Sequence, residues 1–388
     1  MTKGIQHSLQ RDLDIFYKEV TSGEFNIRHV TKGAFSKARA KLKPEAFIEL
    51  NDNVVTTFYT QAPYLGWHNM RLLASDGTRL VLPNHPSIKE EFGEHGFGPN
   101  ADSKKTLATA SFLYDPINLI TLDAQIAPYT SSERDLLYRH LEKVEEGDLL
   151  LLDRGYPSIL LMFLILSKGA DFCMRMKEDW WLSVKDFMDS GDKERIVSFE
   201  LPKKDRKILK HYPELSTQIT ARLICVALET GEKEVLCTSL TDMEKYTHDD
   251  FVELYHYRWN IEEGYKLFKA RVEVENFSGK TAKAVKQDFH AKVFMMSLCA
   301  VLAFPIEEKV KKEYKEGENK HQKKINRTAA LSATCSITVA LFIKRAVTKA
   351  IEAFDNIVSQ TTEIVRPGRK EERKHKPKKQ YHMNYKRL

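Results

Sequence analysis

Residues Leu149–Tyr156 read LLLLDRGY, a continuous apolar run that stops at the carboxylate of Asp153. A short apolar run bounded by polar turn residues is typical of a strand buried on both faces at the centre of a sheet. We therefore predict a central strand over Leu149–Leu152, with Asp153 at its carboxyl end, where α/β folds place ligand sites. The alternative is that Asp153 only caps the following helix.

Strand and helix patterns on both sides of this run predict a mixed α/β sheet. Period-two and β-branched runs indicate strands, and apolar periodicity near 3.6 residues indicates helices. The predicted order is strand, strand, strand, helix, strand, helix, strand, with a further short strand-like run at Leu80–Leu82. The segments are Arg71–Ser75, Thr106–Tyr114, Asn118–Ile126, Ser132–Val144, Leu149–Leu152, Pro157–Leu166 and Asp171–Met176.

The remainder of the chain divides into helical and β-rich parts. About the first 60 residues have helical patterns, and helices are predicted again over His248–Arg271, Ala282–Phe304 and Ser332–Val358. Between the sheet and the second helical part, three β-type runs occur, with a hairpin turn predicted at Gly231. This indicates an inserted β subdomain.

Basic residues are concentrated at the end of the chain. The 388 residues carry 61 Lys and Arg against 54 Asp and Glu, a formal charge of +7. Residues 366–388 carry ten basic and two acidic side chains, a net charge of +8, so the remaining residues have a net charge of −1. Such a tail either contacts phosphates in a nonspecific, salt-dependent way or only adds solubility.

Composition excludes several classes of protein. With 42% apolar and 30% charged residues, the chain is expected to be globular rather than disordered or fibrous. Its longest uninterrupted apolar run, Ile159–Leu166, is far shorter than the roughly 20 residues of a membrane span, and no signal peptide is expected. Five widely spaced cysteines without a Cys-x-x-Cys pair indicate thiols in a reducing compartment. We expect a cytoplasmic protein without a membrane partner.

A second carboxylate, Asp76, follows the strand pattern of Arg71–Ser75. On a strand next to Leu149–Leu152, it would lie near Asp153. The alternative is structural, because Asp76 and Gly77 are a common pair for a hairpin turn.

A third carboxylate, Glu262, belongs to a polar stripe on a predicted helix. At about 100° per residue, four residues share this stripe: Tyr255, Arg258, Glu262 and Lys269. The apolar residues of the helix occupy a separate face, so the helix does not need the stripe for its core contacts. The alternative is an exposed face on which Arg258 and Glu262 form an ion pair worth about 0.2 to 0.5 kcal/mol.

Three separated carboxylates suit phosphoryl transfer with two metal ions. Two Mg²⁺ ions about 3.5 to 4 Å apart need hard oxygen ligands, and they stabilise the attacking and leaving oxygens. We predict that Asp76, Asp153 and Glu262 are catalytic residues and metal ligands. The other three residues of the stripe would hold phosphates of the DNA being cut.

Residues 255–269 contain Tyr, Arg, Glu and Lys in the spacing Tyr-x2-Arg-x3-Glu-x6-Lys. This spacing resembles a signature of the insertion sequence four family of bacterial DDE transposases. Asp76–Thr78 and Asp153–Tyr156 are similar to the family's first two catalytic motifs. Ala34–Arg39 and the basic tail are also similar to family members, so the resemblance covers nearly the whole chain.

The resemblance implies an RNase H-like catalytic core, interrupted by a β-rich insertion before the helix that carries Glu262. It further implies Mg²⁺-dependent cleavage at the ends of a mobile element, with two ions and Mn²⁺ as a substitute, and strand transfer into target DNA by a homodimer. The basic residues Lys37, Arg39 and Lys41 either read the terminal inverted repeats or form a solvated helix face. The alternatives are a stand-alone nuclease of the same fold and a DNA-binding remnant without activity.

The resemblance also suggests a division of the chain and a location, the cytoplasm in association with the nucleoid. The expected parts are a helical DNA-binding domain (1–65), the first part of the core (66–177), the β-rich insertion (178–247), the second part of the core with the Glu-bearing and packing helices (248–304), a C-terminal helical region (305–365) and a basic tail (366–388).

Overall fold

The computed structural model describes residues 8–21, 30–97, 103–178, 181–212, 216–227, 232–317 and 321–365. The chain forms two compact units: a helical unit of residues 1–62, 80–108 and 266–388, and a sheet unit of residues 63–79 and 109–265. The predicted basic tail and the predicted hairpin turn at Gly231 lie outside the described residues.

The strands are β1 (Arg71–Val81), β2 (His95–Phe97), β3 (Ser103–Lys105), β4 (Leu107–Asp115), β5 (Ile120–Pro128), β6 (Asp148–Leu152), β7 (Asp171–Met176), β8 (Glu194–Glu200), β9 (Gln218–Ala227), β10 (Lys233–Thr238), β11 (Lys323–Ile325) and β12 (Thr362–Ile364). The α-helices are α1 (Leu9–Val20), α2 (Lys32–Lys41), α3 (Glu45–Gln61), α4 (Pro86–Phe92), α5 (Glu133–His140), α6 (Ile159–Leu166), α7 (Leu182–Ser190), α8 (His248–Tyr257), α9 (Trp259–Ala270), α10 (Ala282–Lys315), α11 (Arg327–Thr338) and α12 (Val347–Gln360).

The sheet unit is built on one mixed eight-stranded sheet with the order β5-β4-β1-β6-β7-β10-β9-β8. Strand β6 pairs in parallel with β1 and β7, and Leu150 lies opposite Leu73 and Phe172. The leucines of Leu149–Leu152 are at most 1% exposed, which explains the uninterrupted apolar run. The predicted central strand and the predicted mixed α/β sheet are confirmed.

The three strands of the predicted insertion extend this sheet and do not form a separate layer. Strand β10 pairs antiparallel with β7, and β9 and β8 follow in antiparallel order. Without β10, the outer edge of β7 would leave backbone N–H and C=O groups without strand partners. The region is β-rich, as predicted, and is continuous with the core sheet.

The helical unit is organised around α10, which has 34 residues. This helix is long and apolar enough to cross a membrane, but 72% of its most apolar window is buried inside the protein. It packs against α3, where the rings of Phe58 and Phe304 meet edge to face at 5.1 Å. The buried Lys292 of α10 donates hydrogen bonds to the carbonyl oxygens of Glu273 and Asn276. Packing within the unit therefore accounts for the apolar character of α10.

Two local interpretations of the sequence are wrong. Strand β1 continues through Asp76 and Gly77, so this pair forms no hairpin turn. The single helix predicted over His248–Arg271 is two helices, α8 and α9, which meet at Arg258. At the junction the N–H of Arg258 binds the carbonyl of Tyr255, three residues back, so the winding tightens locally.

Candidate active site

The pairing of β1 with β6 brings two predicted catalytic residues together. In the parallel register, Ser75 lies opposite Leu152. The next residues are Asp76 and Asp153, which are therefore neighbours where this pairing ends. The side chain of Asp153 is 33% exposed. Sheet geometry thus places the two carboxylates side by side at the edge where α/β folds bind ligands.

The surroundings of Asp76 raise the pKa of its carboxyl to about 6. Burial is the main cause, and the carboxylates of Glu133 and Asp153 act in the same direction. The N–H of Gly77 donates to Asp76 Oδ1 at 2.8 Å and, with the charge of Arg258, opposes the increase. Asp76 therefore lies in a crowded acidic site that favours a bound cation.

Arg258 is a buried cation at this acidic site. Its side chain is 4% exposed, and its Nη2 lies 3.5 Å from Glu262 Oε1. Burial opposes the charged form, but Tyr255 and the three predicted catalytic carboxylates raise the pKa of Arg258 above its ordinary value. All three carboxylates therefore act on one buried guanidinium.

The other residues of the polar stripe have different surroundings. Tyr255 is 4% exposed, and its hydroxyl donates to Asp153 Oδ1 at 3.3 Å. The guanidinium carbon of Arg258 lies 4.7 Å from the centre of the Trp259 ring. The alternative of an exposed helix face is therefore wrong for Tyr255 and Arg258, which are buried. Lys269 is half-buried and lies in the part of α9 that belongs to the helical unit.

The three basic residues predicted on α2 differ in exposure. Lys37 and Lys41 are exposed. The side chain of Arg39 is 8% exposed and forms an ion pair with Asp288 at 2.9 Å. It also donates to the side chain of Gln287 at 2.7 Å. Because this guanidinium is occupied inside the helical unit, we assign Arg39 a structural role and keep the prediction of DNA contact for Lys37 and Lys41.

Glu133 is a site residue that the sequence motifs do not indicate. It lies in the first turn of α5, and a Cβ atom on Gly77 would overlap its carboxyl. Loss of solvent and the charge of Asp153 raise the pKa of Glu133, against the effect of Arg79. Gly77 therefore lies in close contact with the carboxyl of Glu133 and forms no turn. The sequence signal, an acidic residue after the helix cap Ser132, is common to many helices.

A second arginine, Arg175 on β7, also interacts with Asp153. Its Nη1 lies 3.8 Å from Asp153 Oδ1, and its Nη2 lies 2.7 Å from Glu234 Oε1. Glu234 is on β10, within the predicted insertion. That region therefore contributes a charged side chain to the surroundings of Asp153.

A polar cavity of about 590 Å³ lies within the sheet unit. Its lining includes Thr78 and Gly155, each two positions after one of the aspartates. Charged side chains of both signs also line it, among them Glu133, Arg79 and Arg134. Glu133 and residues close in sequence to both aspartates therefore line a cavity with room for a polar ligand.

The donor types at the site fit a divalent cation. Within the described part of the chain, no three His, Cys, Asp or Glu side chains converge closely enough to bind one ion as they stand. Carboxylate oxygens are nevertheless the ligands that Mg²⁺ prefers, and Mg²⁺ usually keeps several waters. In addition, the charges of Asp76, Asp153 and Glu262 already stabilise a buried cation, Arg258. By chemistry and by charge, these residues suit Mg²⁺.

Comparisons with known proteins give a consistent result. Residues 67–299, more than half of the chain, match the family model described as Transposase DDE domain. The chain is similar to the transposase InsG for insertion sequence element IS4 of Escherichia coli strain K12, with 24% identity over 266 residues, 66% of this chain and 56% of that protein. It is also similar to the putative transposase InsZ of the same organism, with 26% identity over 105 residues, 27% of this chain and 35% of that protein. The chain thus spans about half or less of the length of these relatives.

Among solved structures, the chain is similar to the piggyBac transposase in a cryo-EM structure of its synaptic complex with hairpin DNA. The TM-score is 0.45 at 10% sequence identity, and the alignment covers 91% of this chain and 72% of that chain.

Proposed function

The chain belongs to the transposase DDE domain family, and on this basis we propose that it is a DNA transposase that cuts at insertion-sequence ends and joins them to target DNA. The family match and the similarity to the IS4 transposase confirm the family identified from the sequence motifs. The subgroup defined by the Tyr-Arg-Glu-Lys spacing stays a prediction. The observation that carries the proposal is the β1–β6 register, which makes Asp76 and Asp153 neighbours.

Asp76, Asp153 and Glu262 are the residues that would hold Mg²⁺, or Mn²⁺ in its place. Two such ions, when bound, supply electrostatic stabilisation of the attacking and leaving oxygens during an in-line displacement at phosphorus. The chain itself contributes the placement of Asp76 on β1 and of Asp153 directly after the adjacent β6, together with an acidic environment that attracts the cation.

Tyr255 and Arg258 are proposed to orient the carboxylates and the DNA backbone. The Tyr255 hydroxyl donates to Asp153 and so restricts the rotation of its carboxylate. Arg258 offsets the negative charge of the site, and its planar guanidinium is suited to bidentate contact with a phosphate. We place the phosphates of the strand being cut beside Arg258; contact of Lys269 with DNA stays a prediction from the sequence.

DNA is the proposed partner, as terminal inverted repeats and as target. Lys37 and Lys41 on α2 are proposed to contact the backbone of one of these DNAs, and the basic tail of residues 366–388 adds nonspecific affinity. A homodimer would pair two element ends in the cytoplasm, in association with the nucleoid. The division into DNA-binding, catalytic and insertion domains predicted from the sequence belongs to the same proposal.

Incubation of the purified protein with DNA that carries both element ends, target DNA and Mg²⁺ tests this function. We expect cut ends and joined product, and we expect Glu262→Gln to lose both. The matched control is Glu263→Gln, an exposed neighbour on the same helix, which should retain both. Cutting without joining would identify a stand-alone nuclease, and DNA binding without cutting would identify an inactive remnant. Undiminished activity of Glu262→Gln would refute the assignment of the site.

A further inference from the structure

The main-chain carbonyl of Asp76 accepts hydrogen bonds from two side-chain hydroxyls. Ser111 Oγ on β4 donates to it at 3.2 Å, and the hydroxyl of Tyr265 on α9 donates to it at 2.5 Å. Tyr265 is itself fixed, because its hydroxyl accepts the N–H of Phe112 at 3.0 Å and its ring stacks on the Phe112 ring. Two side-chain hydrogen bonds thus hold the backbone of Asp76, a predicted catalytic residue.

The Ser111 support continues into a buried network. His140 Nε2 lies 3.0 Å from Ser111 Oγ, and His140 Nδ1 lies 2.7 Å from Asp123 Oδ2. Ser111 and His140 are 0% exposed, and Asp123 is 8% exposed. The carboxylate of Asp123 is held in turn by the N–H of Ala124 and the side-chain amide of Gln125, both at 2.8 Å. Strands β4 and β5 and helix α5 are therefore tied to β1 at Asp76.

The chemistry of the groups sets the direction of two of these bonds. The Ser111 hydroxyl donates to the Asp76 carbonyl, which can only accept. His140 Nδ1 donates to the carboxylate of Asp123, which when ionised can also only accept. Although burial acts to raise it, the hydrogen bond and charge of His140 hold the pKa of Asp123 below its ordinary value.

A Ser-His-Asp arrangement is also the catalytic triad of many hydrolases, but this one is built differently. Ser111 and His140 have no exposed surface, so no substrate reaches Ser111 Oγ. In a triad the serine hydrogen is directed to the imidazole, which accepts it as a base. Here the serine hydroxyl donates to a main-chain carbonyl. The arrangement therefore supports a backbone position and does not activate a nucleophile.

We propose that Ser111, His140 and Asp123 are positioning residues that fix the backbone of Asp76 and thereby the orientation of its carboxyl. The consequence for DNA cleavage rests on the proposed function, whereas the consequence for the backbone does not. Removal of a group that is hydrogen-bonded to a metal ligand and orients it typically lowers metal affinity or activity by about 10- to 100-fold.

Substitutions at Ser111 test the network with little change in volume. Ser111→Ala removes the hydroxyl, and Ser111→Thr restores one. The control is Thr238→Val on β10, because Thr238 is 0% exposed and its hydroxyl donates to the carbonyl of Phe172 at 2.7 Å. The control therefore also removes a buried bond from a hydroxyl to a carbonyl of the same sheet, but at a distant strand.

Two measurements on the full chain decide the outcome: hydrogen–deuterium exchange of residues 71–79, and the single-turnover rate of end cleavage at saturating DNA. In Ser111→Ala we expect faster exchange of this segment and cleavage slowed by about 10- to 100-fold, with the affinity for DNA unchanged. Ser111→Thr should recover most of the rate, and Thr238→Val should match the wild type in both measurements. Equal exchange and equal cleavage in Ser111→Ala and Thr238→Val would overturn the proposal.

The two measurements also separate this proposal from the proposed function. If the wild-type protein cuts no DNA, the proposed function fails, and exchange in residues 71–79 still decides whether the network positions Asp76. Asp123→Asn provides a second variant, since it removes the charge that pairs with His140 and should give the same increase in exchange. Normal exchange in both Ser111→Ala and Asp123→Asn would refute the positioning role.

Discussion

Arg39 and Arg258 are both buried arginines in segments predicted to contact DNA, yet their surroundings differ. The side chain of Arg39 is 8% exposed and is bound by Asp288, Gln287 and Ser278. The side chain of Arg258 is 4% exposed and has an ion pair of 3.5 Å with Glu262. Its Nε has no hydrogen-bond partner among the described residues. Leaving such a group unpaired costs about 1 to 3 kcal/mol, and more when it is charged.

The difference distinguishes an arginine that stabilises the fold from one that can bind a ligand. The hydrogen-bonding capacity of Arg39 is used inside the helical unit. Arg258 keeps unused capacity beside three carboxylates, and incompletely paired buried groups and perturbed pKa values are frequent at functional sites. We therefore expect replacement of Arg39 to affect mainly stability and replacement of Arg258 to affect mainly activity.

The largest effect is expected for Arg39→Met. It leaves Asp288, whose side chain is 1% exposed, without its counter-charge. Breaking a buried ion pair in this way costs about 3 to 5 kcal/mol in the free energy of unfolding, which denaturant titration measures. Cleavage per folded molecule should change little. The double variant Arg39→Met/Asp288→Leu should regain part of the loss, and a loss below about 1 kcal/mol in the single variant would contradict the structural role.

Arg258→Met should reduce end cleavage by about 100-fold, because it removes a preorganised cation beside the reacting phosphate. The free energy of unfolding should fall by less than in Arg39→Met, since fewer bonds are lost. Arg258→Lys keeps the charge but not the planar fork, so we expect it to restore only part of the rate. Single-turnover kinetics and denaturant titration measure the two effects. The distinction fails if Arg258→Met is as unstable as Arg39→Met and cuts normally.

Asp76 is expected to lower stability at neutral pH in the absence of metal. Its pKa is raised from 3.8 to about 6, so the folded protein holds this proton more tightly than the unfolded chain does. The resulting stabilisation is present below about pH 4 and is lost as the pH rises through about 6. Asp76→Asn should therefore be more stable than the wild type by about 2 to 3 kcal/mol at pH 8 and not at pH 4. Unfolding measured at both pH values checks this, and a gain that does not depend on pH would exclude ionisation as its cause.

The smallest effects are expected on α2. If Lys37 and Lys41 each contact one phosphate, each change to Ala should reduce the salt dependence of DNA binding by about one unit of slope. Binding titrations at several salt concentrations measure this slope. The control is Lys185→Ala on α7, another exposed lysine, which should leave the slope unchanged. Identical slopes for all three variants would remove α2 from the proposed DNA interface.

Local sequence predicts the central strand of the sheet, but it does not predict that β8, β9 and β10 extend the same sheet. Burial on both faces demands a continuous apolar run, so Leu149–Leu152 identifies the central strand and places Asp153 at its end. The same kind of pattern does not specify a partner strand. Strands β8, β9 and β10 have β-type sequences whether they form a separate layer or, as here, continue the sheet from β7.

Sequence patterns predict those parts of the candidate site whose residues lie on one helix or strand. They do not predict contacts between segments that are distant in sequence. Helical periodicity groups Tyr255 with Glu262, but it assumes a continuous helix and does not reveal the break at Arg258. The contact of Arg39 with Asp288 joins residues 249 positions apart, so the local basic pattern gives no sign of it. Glu133 was missed for the same reason, because its partner, Gly77, lies on another element.

The central claim is that Asp76, Asp153 and Glu262 serve one cation-binding site. The most direct test is titration of the full chain with Mn²⁺ in the presence of element-end DNA, with bound and free ion measured by electron paramagnetic resonance. We predict that the wild type binds Mn²⁺ and that Asp76→Asn, Asp153→Asn and Glu262→Gln each weaken binding by at least about tenfold. The control Glu263→Gln should bind as the wild type does. Equal Mn²⁺ affinity in the wild type and in all three variants would contradict the account.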